Sequence, residues 1–209
     1  MRIDDVPSPI NFQDLHDAEA WIEQTTRNRP WRTEFFSMYV KALNQRFDQP
    51  ISVLELGSGP GFLAQQILGN CPIQSYAALD FSAVMHALAC QRLQPFLHQV
   101  NLIQRNFRSQ DWVEGLGPFD AIVTMQAVHE VRHKQRIPML LAQLNRLLIV
   151  NGLFLFCDHY SEPDMPSKDL NLYLTRDELP IALFNANFTG IDCLLDKGGM
   201  ALYAATRVL

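Results

Sequence analysis

The chain has 209 residues, 48% of them hydrophobic and 19% charged, with a formal net charge of −5. That length and composition fit a globular protein with a sizeable core and exclude a disordered chain. The acidic balance gives no general attraction to phosphate backbones, which argues against nucleic acid as a partner, and no apolar run approaches the roughly 20 residues of a membrane span.

The first fifteen residues carry acids and prolines where a secretory leader needs an apolar stretch. The four cysteines, Cys71, Cys90, Cys157 and Cys193, are scattered and form no C-x-x-C pair. They read as reduced core residues, so a cytoplasmic location is expected.

Two helices are predicted first, over about 11–27 and 31–47, separated by Asn28-Arg29-Pro30 and closed by Asp48-Gln49-Pro50. This front piece holds Phe12, Trp21, Trp31, Phe35, Phe36, Tyr39 and Phe47, and is expected to form a helical lid over residues 1–48. Trp31 is a candidate contact for a substrate.

From residue 51 the rhythm changes to β-α alternation. ISVLEL, SYAALD, NLIQRNF and FDAIVTMQA read as strands, with FLAQQILGN and SAVMHALACQRLQPFL as helices after the first two. PMLLAQLNRLLIV reads as a helix, and LFLFCDH as a fifth strand after the turn Asn151-Gly152. Such alternation implies a parallel sheet covered on both faces. TRDELPIALFNANF then reads as a helix, followed by strands FTGIDCLL and MALYAATRVL. Only Asp196-Lys197-Gly198-Gly199 separates those two strands, so they must be antiparallel neighbours.

Gly57, Gly59 and Gly61 place three glycines in the turn from the first strand to the first helix of the sheet region. Glycines there let backbone approach a ligand with no Cβ in the way. Their G-x-G-x-G spacing differs from the G-x-G-x-x-G of dinucleotide enzymes and disfavours a nicotinamide-dependent oxidoreductase. Asp80 closes the second strand, where it is placed to accept hydrogen bonds from both hydroxyls of a ribose. A nucleoside-type ligand satisfies both features.

VLELGSGPG, ALDFS, FDAIVTMQAVHEV and LNRLLIVNGLFLFCD together resemble the class I S-adenosylmethionine-dependent methyltransferases, over about residues 51–209. The resemblance implies a Rossmann-like α/β fold with a seven-stranded, mostly parallel sheet in the order 3-2-1-4-5-7-6, the last strand antiparallel. It implies S-adenosyl-L-methionine as cofactor, with Gly57, Ser58, Gly59 and Gly61 in the glycine loop and Glu55 near the methionine moiety. Asp80 would take the ribose and Phe81 would stack beside the adenine. The family's adenine-contacting acid falls on Asn106, followed by Phe107, so an amide replaces the carboxylate. Gln126 at the end of the fourth strand would complete the cofactor contacts. The family's Gly-Gly before the fifth strand appears as Asn151-Gly152, which left-handed backbone tolerates.

HEVRH, residues 129–133, matches the zinc-protease signature H-E-x-x-H, which needs both histidines on one turn of a helix. Residues 119–127 are strand-like and Pro138 fits only a first helical turn, which leaves little room for such a helix. No metal ligand set is therefore assigned, and a zinc hydrolase is the remote alternative. The neighbouring Arg132, His133, Lys134 and Arg136 read as a solvated face.

In the methyltransferase reading His129 directly follows the fourth strand and is the candidate general base, since an unperturbed imidazole titrates near neutrality. His159 and Tyr160, just past the fifth strand, are candidate substrate contacts. The expected reaction is methyl transfer to an oxygen or nitrogen of a small or medium-sized acceptor, with positioning as the main catalytic term. A non-catalytic S-adenosylmethionine-binding regulatory or partner protein is the alternative. Neither the acceptor nor the oligomeric state is legible.

Overall fold

The computed structural model describes residues 3–208. Seven strands form one sheet in the order β3-β2-β1-β4-β5-β7-β6, as the resemblance implies. The chain divides into two compact units, Ser8–Asn106 and Phe107–Leu209 together with Met1–Pro7. The two front helices share a unit with the first three strands, and the extreme N-terminal segment belongs to the other. No helix among the described residues is long and apolar enough to cross a membrane.

The first unit starts with α1 (Leu15–Asn28) and α2 (Arg32–Arg46). Asp14 caps α1 by accepting a hydrogen bond from the Asp17 N–H at 3.0 Å, which is why the helix begins four residues later than predicted. The strands β1 (Ile51–Leu56), β2 (Ile73–Asp80) and β3 (Val100–Gln104) run parallel, with α3 (Phe62–Asn70) and α4 (Ala83–Arg92) as the crossovers. The sequence ISVLEL is almost wholly buried, as expected of a strand covered on both faces. Phe35, Tyr39 and Leu43, spaced at i, i+4 and i+8 along α2, are fully or almost fully buried.

The second unit contains β4 (Phe119–Met125), α5 (Ile137–Leu147), β5 (Leu148–His159), α6 (Ser167–Leu172), α7 (Glu178–Asn185), β6 (Phe188–Lys197) and β7 (Met200–Arg207). β4 and β5 are parallel; β7 is antiparallel to both β5 and β6. Ile137, Leu140, Leu141 and Leu144 make the buried stripe of α5, with Pro138 in its first turn, where the lost N–H costs little. That helix stops at Leu147 rather than running to Val150, and residues 148–150 join β5. The run Leu-Leu-Ile-Val suits either state, and the bend at Asn151 (φ +64°) settles it. A Cβ on Gly152 would lie 2.9 Å from the Ile149 carbonyl oxygen, so only glycine fits that bend.

The predicted helix over 175–188 shortens to α7 because Thr175 and Glu178 cap its start reciprocally. Thr175 N–H donates to Glu178 Oε2 at 2.8 Å, and Glu178 N–H donates to Thr175 Oγ1 at 3.2 Å. The short helix α6 has no counterpart in the sequence reading.

Trp112 precedes β4 in a stretch with no predicted element. It is fully buried and its Nε1–H donates to Gln143 Oε1 at 2.9 Å. Trp112→Ala should therefore destabilise the fold by about 3–5 kcal/mol, the range for large aromatic truncations in a core. Urea unfolding of the variant beside the native chain measures it, and a loss below about 1 kcal/mol would show that the tryptophan is not core.

Candidate active site

Between β1 and α3, Gly57, Gly59 and Gly61 all take left-handed backbone, with φ of +68°, +52° and +81°. Only glycine adopts that conformation without steric cost three times in five residues. The Gly57 and Ser58 N–H groups both donate to the Leu79 carbonyl, at 2.8 and 3.0 Å, which ties the loop to the end of β2. Asp80 grips the same loop: its Oδ2 accepts from Gly59 N–H at 2.8 Å and its Oδ1 from Ser82 N–H at 2.9 Å. The carboxylate is nearly buried. Burial raises its pKa, and the Ser82 and Gly59 N–H groups oppose the rise.

Glu55 is also buried and accepts a hydrogen bond from Tyr76 Oη–H at 2.8 Å. Burial raises its pKa to about 8; the tyrosine hydrogen bond resists and the charge on Asp80 adds to the rise. Near neutral pH Glu55 therefore keeps its proton. Phe81 lies edge-to-face with Phe12, ring centroids 6.4 Å apart, and its carbonyl accepts from Gln13 Nε2 at 3.1 Å. The segment ahead of α1 thus packs over the end of β2. Trp31 is half-buried against Phe35, 5.6 Å between centroids. Asn106 is exposed and Phe107 is buried.

The second unit has its own polar cluster at the carboxyl ends of β4 and β5. Gln126 follows β4 with φ +58°, an uncommon conformation for a non-glycine residue, and its N–H donates to the Cys157 carbonyl at 2.9 Å. Residues Val128–Val131 form a 3-10 turn that carries His129. Asp158, buried near the end of β5, holds that histidine twice. Its Oδ2 accepts from the His129 backbone N–H at 2.9 Å, and its Oδ1 lies 2.7 Å from the ring Nδ1. His129 Nε2 lies 3.4 Å from Glu130 Oε1.

Burial works against charge on His129, but Asp158 outweighs it and Glu130 adds, so the pKa rises to about 10. Asp158 shifts the opposite way: burial would raise it, and the His129 charge outweighs that and lowers it. The raised His129 pKa and the lowered Asp158 pKa favour a carboxylate beside an imidazolium, an arrangement that suits a hydrogen-bond donor more than a neutral-pH base.

His159 Nδ1–H donates to the Gly199 carbonyl at 3.3 Å, and its Nε2 accepts from Gln126 Nε2–H at 2.9 Å. Gln126 Oε1 is buried with no hydrogen-bond partner among the described residues. The rings of His129, His159 and Tyr173 stand 5.2–5.9 Å apart, centroid to centroid. Tyr160 does not join them; its hydroxyl donates to Asp196 Oδ1 at 2.9 Å.

The signature HEVRH forms no α-helix. Arg132 is left-handed (φ +64°) and His133 extended (φ −164°), with His133 Nδ1 accepting from Gln135 N–H at 3.2 Å. The two histidines therefore do not share a helical face. The basic cluster is not a solvated face either: Arg132 is buried and Arg136 partly so, both bonded to carbonyls of residues 3–7.

A methyltransferase-domain family model matches residues 26–188. The chain belongs to this methyltransferase family, and the cofactor expected from the sequence is S-adenosylmethionine. The loop fits that group: a Cβ on Gly59 would meet no atom within 4 Å, and the buried Ser58 Oγ has no hydrogen-bond partner. Glu55, the glycine loop and Asp80 would hold it.

Solved structures support the fold. An O-methyltransferase family protein from Burkholderia thailandensis has a TM-score of 0.75 at 14% identity, over 93% of this chain and 60% of that one. Human N-acetylserotonin methyltransferase in complex with S-adenosylmethionine has a TM-score of 0.67 at 15% identity, over 95% and 58%. The putative methyltransferase in a complex with the Haloferax volcanii Trm112 activator gives 0.67 at 16% identity, over 97% and 100%. No curated protein sequence matches this chain.

Sequence reasoning missed Asp158, Glu130 and Tyr173. Asp158 had a signal, an acid ending the otherwise apolar strand LFLFCD; Tyr173 had none, since it lies beyond a helix that was not predicted.

Glu55 yields a pH prediction. Its folded pKa, about 8, exceeds the ordinary carboxyl value of 4.5. Folded protein thus binds more protons than unfolded between about pH 4.5 and 8, and stability falls as pH rises through that window. Glu55→Gln mimics the protonated acid and cannot ionise. The variant should match the native chain near pH 5 and exceed it by roughly 3–5 kcal/mol near pH 8.5. Urea unfolding at the two pH values decides; an equal gap at both would place Glu55 ionised in the folded protein.

Proposed function

We propose that the chain methylates an oxygen or nitrogen of a small or medium-sized acceptor. The observation that carries this reading is the Asp158–His129 pair, fixed at the carboxyl ends of β4 and β5 and lined by the rings of His159 and Tyr173. S-adenosylmethionine, when bound, supplies a methyl group already activated on a sulfonium, so the residues mainly have to orient the acceptor.

Asp158 immobilises the His129 ring by binding both its main chain and Nδ1. The imidazolium then donates from Nε2 and favours an acceptor oxygen that is ionised or readily ionises. His159 and Tyr173 wall the acceptor, and the unpartnered Gln126 Oε1 is available to accept a hydrogen bond from it. Phe12 and Gln13, packed on Phe81, support a role for the front segment as a cover on the cofactor.

Calorimetry with S-adenosylmethionine, S-adenosylhomocysteine and NAD tests the cofactor half. The first two should bind and NAD should not. Asp80→Asn should weaken S-adenosylmethionine about ten- to a hundredfold, the worth of one hydrogen bond to a charged group, about 1.5–3 kcal/mol. An unchanged affinity would put the ribose elsewhere.

Turnover across a panel of phenol, carboxylate and amine acceptors tests the other half. His129→Ala should lower it about 10²-fold while leaving cofactor affinity intact. The sign of the pH effect separates donor from base. A cationic donor is present below its pKa, so its contribution should vanish as pH rises toward about 10. A base would instead gain activity through about pH 6.5. An ascending limb near 6.5 that disappears in His129→Ala would restore the base role, and cofactor binding without any turnover would favour the non-catalytic alternative.

A further inference from the structure

Residues 3–7 are tied to the segment after β4 by an arginine cluster. Val6 N–H donates to the Arg132 carbonyl at 2.8 Å, while Arg132 Nε and Nη2 donate to the Val6 and Pro7 carbonyls, each at 2.8 Å. Arg136 donates from Nη2 to the Ile3 carbonyl at 3.0 Å, and both Arg136 and Arg108 pair with Asp5. Arg132 is buried in left-handed backbone, a conformation that persists only where surrounding contacts over-determine it.

The remaining Arg132 nitrogen points back to the site. Nη1 lies 3.2 Å from each oxygen of Glu130, and Glu130 Oε1 lies 3.4 Å from His129 Nε2. A continuous chain of contacts therefore runs from the N-terminal segment through Arg132 and Glu130 to the imidazole.

We propose that Glu130 is a positioning residue for His129: Arg132, anchored on residues 3–7, holds the Glu130 carboxylate against Nε2 and so fixes the second proton of the imidazole. This rests on the acceptor reading given above. Asp158 fixes the Nδ1 side alone, and Glu130 completes the pair of carboxylates that keeps the ring charged. The charged and titratable groups facing His129 are Asp158 and His159 from β5, Glu130 from its own turn, and Tyr173 beyond α6. Arg132 reaches it through Glu130, and Asp169 on α6 faces Tyr173. An acceptor oxygen arriving at Nε2 takes the place Glu130 now holds, so the N-terminal segment, remote in sequence, sets how firmly that place is guarded.

The experiment is a histidine titration by NMR on the full-length chain with ¹³C-labelled imidazole carbons, the His129 signal assigned with His129→Gln. Glu130→Gln keeps the shape and removes the charge, and should lower the His129 midpoint by about one to three pH units. Arg132→Lys keeps the cation but loses the fork that joins residues 3–7 to Glu130; it should lower the midpoint by less. In the Glu130→Gln background, Arg132→Lys should move nothing further, since Arg132 acts through Glu130.

A native midpoint in Glu130→Gln would overturn the proposal, as would an equal Arg132→Lys shift in both backgrounds. Glu130 is partly exposed, so its substitution carries the test by itself if Arg132→Lys fails to fold. The titration is read on the protein alone, so an absence of methyl transfer would count against the proposed activity and leave this result standing.

Discussion

A carboxylate buried at the end of a strand must be surrounded by N–H groups, and the second unit is organised around how Asp158 meets that demand. It accepts from the His129 backbone and ring and from the His159 N–H at 2.8 Å. An unpaired charge there would be prohibitively expensive to bury. With these donors in place, the carboxylate fixes both the path of the chain after β4 and the orientation of the imidazole. The tight 3-10 turn that breaks HEVRH follows from the same contacts.

Asp80 meets the same demand in the first unit mainly with backbone donors, with the charge of His86 as a smaller aid. Its two oxygens take the N–H groups of Gly59 and Ser82, so the acid that would face the ribose also shapes the glycine loop. The two carboxylates differ in their partners. Backbone amides carry no charge, so burial dominates and Asp80 shifts upward, whereas an imidazolium partner pulls Asp158 downward. The first arrangement holds a carboxylate by uncharged donors; the second sets one against an imidazole.

The arginines after β4 show how a sequence pattern misleads when its partners are distant. Arg132 and Arg136 lie among polar neighbours and have no apolar periodicity, the usual signs of a solvated face. Their partners are carbonyls 126 and 133 residues earlier. Guanidinium groups satisfied by backbone oxygens can be buried at modest cost, and no local rule reveals such a bond.

The alternation of strands and helices, the glycine loop and the acid that follows it were legible in the sequence because they are local features. The strand order was implied only by the family resemblance. Apolar runs of fixed length alternate with helical periods, and left-handed turns demand glycine or asparagine wherever they occur. The sequence also placed His129 and His159 near strand ends, since β-α connections deliver such residues to one edge of a parallel sheet. The surroundings of His129 became visible only in the folded chain. The charge on an imidazole depends on which carboxylates reach its nitrogens, and Asp158 arrives from another strand. Helix ends likewise waited on capping contacts, and Trp112 on the packing that buries it. Periodicity reports which face of an element is apolar; protonation, caps and buried arginines depend on atoms that only the folded chain brings within about 3 Å.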